Sequence, residues 1–342
     1  MLIHRRRLMG TAAAVLAAAA TSACVGEEGD APPTTETAPR RSRTVGRGSR
    51  SGQQTAFPGA PRAGHLYFGA TVPHYRSVTG WEEQLGATLS VHRSYFVPVA
   101  GEVQRLTGQC RDDLANDRLP HVSIKPPGTW RDSTGGPGAR WLDGVLRSVG
   151  ELDGPVLLTL HHEPENDAGG SGMEAADWVA LQRHAIARAA DLAPLVTIAP
   201  VLQSWTFNPL QPGNDPSAWD VPEAAVFGID VYNPWSPTNG RMWRSFASKL
   251  EDAMPWVGDR PIVIGEYGCR QDPEDPGRAA AWIRAAAEDA RSLGVVAMSY
   301  FNSTVNVDDG EMELVGQSER TFASLLGSGW VARVDQVSPA TP

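Results

Sequence analysis

From residue 64 onward the chain alternates short continuous apolar runs with longer stretches in which apolar positions recur every three or four residues. Runs such as Val156-Leu157-Leu158-Thr159-Leu160 and Ile262-Val263-Ile264, bounded by Gly and Pro, predict strands buried on both faces, as in a parallel sheet. Strands are expected at 66–72, 88–96, 121–125, 156–161, 195–201, 226–231, 262–266 and 295–301. Between them, 175–191 is the clearest helix, rich in alanine and carrying Trp178, Leu181 and Ile186 along one face. Segments 241–254 and 276–293 are the next best, the latter with Pro276 near its start and Gly294 just past its end. Eight strands with interleaved helices match a (β/α)8 TIM barrel, a single α/β domain over 64–335. The competing doubly wound sheet carries a Gly-rich phosphate loop after its first strand. Here that strand runs into Phe68-Gly69-Ala70-Thr71-Val72-Pro73, which is no such loop.

The N-terminus breaks the pattern. Arg5-Arg6-Arg7, an apolar stretch over 8–20, and Thr21-Ser22-Ala23-Cys24 describe an export signal over 1–24. The apolar stretch is too short to span a bilayer. The arginines followed by Leu8-Met9 resemble a twin-arginine signal, and the small residues ending at Cys24 resemble a lipoprotein processing site. Cys24 is then the expected lipidation position, and the protein is expected on the outer side of the cell membrane or secreted. Residues 25–63, rich in Pro, Thr, Ser, Gly and Arg, bury too little apolar surface to fold and form a disordered linker.

Composition narrows the partners. With 342 residues, 41% hydrophobic content and 11 tryptophans, the chain can build one large core. A net charge of −9 argues against nucleic-acid binding. The expectation is a monomer whose only membrane contact runs through Cys24. Beyond Cys24, Cys110 and Cys269 either pair or stay as separate buried thiols. CxxC and HExxH are both absent, and the adjacent His161, His162 and Glu163 project in different directions, so neither a metal nor a cofactor is expected.

The chemistry lies in two glutamates, Glu163 and Glu266, each where an apolar run stops. A carboxylate at the carboxyl end of a barrel strand points into the mouth where such folds place their chemistry. Two there suit the splitting of a glycosidic bond, against the plainer reading that each salt-bridges an arginine at the rim. Glu163 ends strand four and Glu266 ends strand seven, a pattern similar to the clan of retaining glycoside hydrolases, and that resemblance implies acid/base for the first and nucleophile for the second. His162 orients the acid/base or binds a sugar hydroxyl, whereas His161 points to the barrel–helix interface. Glu165 is a rival acid on the following loop. Tyr232 is placed to donate to the nucleophile, Trp205, Trp235 and Phe301 to form sugar platforms, and Arg93 with His92 to form a rim hydrogen-bond network.

These residues resemble glycoside hydrolase family 26, within the clan of retaining enzymes that carry acid/base and nucleophile on strands four and seven. His162-Glu163, the opening segment 67–89 with Trp81-Glu82, and Phe227-Gly228-Ile229-Asp230-Val231-Tyr232-Asn233 carry the resemblance. It implies endo-acting hydrolysis of a β-linked polysaccharide such as β-mannan or mixed-linkage glucan. There are departures. Pro164-Glu165-Asn166-Asp167 replaces the family's apolar-Asn-Gly continuation, Thr159 stands about where an arginine is usual, and Tyr300-Phe301 occupies the place of a strand-eight tryptophan. A non-catalytic carbohydrate-binding barrel lipoprotein is the alternative, and a barrel hydrolase of other chemistry a third reading.

Overall fold

The computed structural model describes residues 57–73, 75–304 and 312–334. The segment expected to be an export signal, Cys24 and most of the expected linker lie outside these residues.

Among the described residues nine strands, all parallel, make one sheet: β1 (Tyr67–Thr71), β2 (Val91–Phe96), β3 (Leu119–Ile124), β4 (Val156–Leu160), β5 (Val196–Ile198), β6 (Val201–Gln203), β7 (Phe227–Tyr232), β8 (Ile262–Gly268) and β9 (Val295–Tyr300). Their order is β5-β4-β3-β2-β1-β9-β8-β7-β6. The two end strands are arms of one segment, joined by Ala199-Pro200. The fifth strand expected at 195–201 is thus split: β5 pairs with β4, β6 pairs with β7, and the covalent link between them closes the (β/α)8 barrel. Pro200 has no N–H to give to a ladder, which accounts for the break. Gly228 lets β7 approach it, because a Cβ there would stand 2.1 Å from the Pro200 carbonyl oxygen.

Helices cover the outside: α1 (Val78–Leu85), α2 (Glu102–Ala115), α3 (Gly136–Gly150), α4 (Ala175–Leu192), α5 (Pro216–Trp219), α6 (Phe246–Leu250), α7 (Met254–Val257), α8 (Arg278–Leu293) and α9 (Gly316–Leu326). Their boundaries follow local chemistry. Ser77 caps α1 by accepting from Gly80 N, and Gly86 and Gly294 end α1 and α8 in the left-handed region. The helix expected over 241–254 is instead two short pieces, α6 and α7. Ser245 caps the first, its hydroxyl accepting from Ser248 N, and Pro255 sits in the first turn of the second, where its missing N–H costs nothing. Residues 241–245 are not helical.

The alternation of the strands sorts two cores. Tyr67, Val91, Leu119, Leu157 and Val263 point inward and make an apolar floor to the barrel. Phe68, Leu158, Leu160, Ile262 and Ile264 point outward and pack with Trp130 and Trp178 beneath the helices. Arg93 and Thr159, two residues beyond Val91 and Leu157, are buried on the inward side. Cys110 and Cys269 are buried free thiols, which decides the open pairing question in favour of separate thiols. Burial pushes both thiols far above the usual range, so they are inert. Among the described residues no helix is long and apolar enough to cross a membrane.

Candidate active site

Simple alternation along β8 would send the carboxylate of Glu266 the wrong way. Ile262 and Ile264 face the helices and Val263 faces the barrel, so residue 266 should face the helices too. An inserted residue prevents this. Ile229 of β7 pairs with Ile264 and Val231 with Tyr267, so two steps on β7 face three on β8; β9 shows the same mismatch, with Met298 against Ile264 and Tyr300 against Tyr267. This bulge at Gly265-Glu266 turns Glu266 inward while returning Tyr267 to the outer core.

A different device operates past β4. His161 and Glu163 both hold left-handed backbone, at φ 55° and 48°. Such conformations cost on the order of 1–3 kcal/mol each in a non-glycine residue and need outside support. The His161 N–H donates to the Ile124 carbonyl and the Glu163 N–H to the Val201 carbonyl, both at 3.0 Å. The two twists turn His161 outward and leave His162 and Glu163 facing Glu266. His161 is seated by Trp130, whose indole donates to Nδ1 at 2.9 Å, and by Asp167, 2.7 Å from Nε2. An indole N–H can only donate, so the imidazole proton is on Nε2 and goes to Asp167. Lys125 donates to the same Asp167 oxygen, and the His161 hydrogen bond followed by that cation holds the Asp167 carboxyl below the usual range.

Glu163 and Glu266 are buried, together with Asp230. Oxygens of these three carboxyl groups lie within 4.8 Å of one another. Burial, then the charges of Asp230, Glu266 and Glu165, push the Glu163 carboxyl well above the usual range. Asp230 is raised as well, first by burial and then by Glu266, against the opposing pull of Arg93. Glu266 accepts one phenol hydrogen bond on each oxygen, from Tyr95 to Oε1 at 2.7 Å and from Tyr232 to Oε2. Burial and the nearby carboxylates raise both phenols, keeping them protonated as donors. His162 Nε2 stands 3.8 Å from Glu266 Oε1, its Nδ1 shares a 2.9 Å hydrogen bond with the Ser123 hydroxyl, and burial keeps the ring neutral. Chemically, the centre pairs a carboxyl that burial and neighbouring charges favour in its protonated form with one whose two oxygens each accept a phenol hydrogen bond. The trio could also chelate a cation, but acidic clusters are common without one.

Of the other sequence-derived residues, Phe301 packs edge-on against Tyr232, with ring centroids 5.9 Å apart. Trp205, on the turn after β6, donates to the Gln203 side chain. Trp235 packs against Trp243, and the Arg278 guanidinium lies over both rings. Glu165 accepts from Gln203 N and the Thr206 hydroxyl, and burial pushes it up to about 7. His92 belongs to no rim network: it faces α2, where its Nδ1 lies 3.0 Å from Asp113. Arg93 is fully buried inside the barrel. Tyr95 and Ser123 were not singled out from the sequence, and Asp230 was quoted only within a motif. Tyr95 shares the inward face of β2 with Arg93, and Asp230 that of β7 with Tyr232, so period-two spacing was the available signal.

No family model matches the chain, and no curated protein matches it in sequence. Solved structures do share its fold. GH5_18 from Bifidobacterium longum superposes with a TM-score of 0.58 at 13% identity, over 81% of each chain. GH26A from a Muricauda species gives 0.52 at 12% identity, over 81% of this chain and 94% of that one. A modular endo-β-1,4-mannanase from Cellulomonas fimi, described with the glycoside hydrolase family 26 mannanases, gives 0.52 at 14%, over 81% and 74%. At these identities the likeness is one of fold.

Proposed function

We propose that the protein is a retaining glycoside hydrolase that cleaves within a β-linked polysaccharide, such as β-mannan or mixed-linkage glucan. The observation that carries this reading is the approach of Glu163 and Glu266 to within 4.8 Å at their oxygens. Retaining pairs have their carboxyl groups about 5–5.5 Å apart and inverting pairs about 6.5–9.5 Å, and oxygens this close favour the shorter separation. Environment assigns the roles. Glu163, held protonated, gives its proton to the departing glycosidic oxygen, while Glu266 attacks the anomeric carbon and forms a glycosyl ester. Glu163, now ionised, takes a proton from water, which attacks the same carbon and frees Glu266. Tyr232 and Tyr95 hold the carboxylate in place before attack and receive it again on release.

Two of the solved neighbours are enzymes named for cutting glycosidic bonds, the Cellulomonas fimi endo-β-1,4-mannanase and an exo-β-1,4-mannosidase from an Opitutaceae bacterium, the latter at a TM-score of 0.54 and 13% identity. A panel of β-mannan, mixed-linkage glucan, xylan and cell-wall polymers, read by new reducing ends, tests the proposal. Activity on one polymer that disappears in Glu266→Gln supports it, and a blank panel overturns it. We further propose a monomer exported by its 1–24 segment, lipidated at Cys24, and held off the membrane by the 25–63 linker. Cys24→Ser is then expected to move the protein out of the membrane fraction.

A further inference from the structure

Arg93 lies on the inward face of β2, fully buried, with no hydrogen-bond partner for Nε, Nη1 or Nη2 among the described residues. A guanidinium in that position is costly unless something answers its charge. What faces it is the ring of Tyr95, with the guanidinium carbon 5.0 Å from the centroid. Strand alternation puts residues 93 and 95 on one face, so the cation rests under the ring whose hydroxyl donates to Glu266 Oε1 at 2.7 Å. The Thr71 hydroxyl, 3.3 Å from the same phenol oxygen, supports it from β1. Attraction to a ring face draws electron density from the phenol and makes its O–H a stronger donor.

We propose that Arg93 is a positioning residue acting on the nucleophile through Tyr95, its cation polarising the ring and the ring hydroxyl passing that effect to Glu266 Oε1. The arrangement departs from a direct arginine–carboxylate pair: charge reaches the nucleophile without a salt bridge that would have to break when the glycosyl ester forms. Its catalytic consequence rests on the glycosidase reading, but its physical content does not. The groups facing Glu266 are Tyr95 from β2, His162 and Glu163 from the segment after β4, and Asp230 and Tyr232 from β7. Arg93 also bears on Asp230, His121 and His162, so a through-space route has to be separated from the route through the ring.

A substrate-free titration does this. Protein labelled with 13C in its glutamate carboxyls is followed by NMR against pH, with the Glu266 signal assigned by its absence in Glu266→Gln. Tyr95→Phe keeps the ring and removes the donor; its titration midpoint is expected to rise by about one pH unit, the size of a hydrogen bond to a charged group. Arg93→Met is expected to raise the midpoint by about half a unit in the wild-type background and by nothing measurable alongside Tyr95→Phe. Arg93→Lys, which draws the charge back from the ring, gives a second cycle should the methionine variant fail to fold, and its shift must vanish in the Tyr95→Phe background too. Equal Arg93 shifts in both backgrounds, or an unmoved midpoint in Tyr95→Phe, overturn the relay. Coupling in the titration beside a blank polysaccharide panel keeps the relay and removes the glycosidase reading; hydrolysis beside additive shifts does the reverse.

Discussion

A Cβ on Gly265 would stand 2.5 Å from Asp230 Oδ1. The bulge that turns Glu266 inward therefore also leaves, one residue earlier, the space that Asp230 fills. Alanine at 265 would meet Val201 as well, 2.9 Å from Cγ1, with backbone on both sides limiting any retreat. Gly265→Ala is expected to cost about 1–3 kcal/mol in denaturant unfolding, the usual range for overpacking a core. Activity should fall further than stability explains, because Asp230 and Glu266 move together. An alanine variant with wild-type kcat/KM would show that the space has no function.

The two glutamates should respond differently to removal. Glu266→Gln cannot form the glycosyl ester and is expected to lose all turnover on every substrate. Glu163→Ala should lose orders of magnitude on unactivated glycosides but far less on aryl glycosides whose leaving groups depart without a proton. Azide should then restore part of the loss by attacking the ester, giving a glycosyl azide of retained configuration. Equal loss on both substrate classes, with no azide product, would cancel the assignment.

The pH profile carries a sign. Glu163 must be protonated to act as the acid, and burial followed by the Asp230, Glu266 and Glu165 charges raises the pH at which it ionises. The alkaline limb of kcat/KM is therefore expected above the usual carboxylate range. Asp230→Asn removes a negative neighbour, so Glu163 should ionise at lower pH and the alkaline limb should move down. An upward or absent shift would mean that Asp230 does not act on the acid.

Much of this centre was legible in the chain, for identifiable reasons. The apolar runs before Glu163 and Glu266 mark buried parallel strands, and carboxylates that follow such runs land near a barrel mouth. The means of aiming them were not legible. Neither the bulge at Gly265-Glu266 nor the left-handed backbone of His161 and Glu163 follows local propensity, since both are imposed by neighbouring strands. The split at Ala199-Pro200 was available from Pro200 alone. The broken helix at 241–254 was available from Ser245 and Pro255, both standard start signals. Tyr95 was missed because aromatic residues in strands are ordinary, and only the fold brings β2 across to β8.

Stability should carry a separate mark from Glu165. Its carboxyl is pushed up to about 7 from the ordinary 4.5, chiefly by burial, while hydrogen bonds from Thr206 and the backbone pull the other way. A carboxyl raised in the folded state binds its proton more tightly there than in the unfolded chain. Its contribution is fully present below about 4.5 and is lost as pH rises through about 7, amounting to roughly 3 kcal/mol. Glu165→Gln keeps a side-chain oxygen to accept from Gln203 N and Thr206 but has no proton to lose. Asp230 and Glu163 titrate in both proteins and both are raised by the Glu165 charge, so the difference between variant and wild type reads Glu165 together with its effect on these two neighbours. Urea unfolding at pH 4.5 and pH 8 is expected to give similar stabilities at the lower pH and a more stable variant at the higher. A gap of the same size at both values would mean that Glu165 is ionised in the folded protein throughout, and would return it to contention as a second charged group in the site.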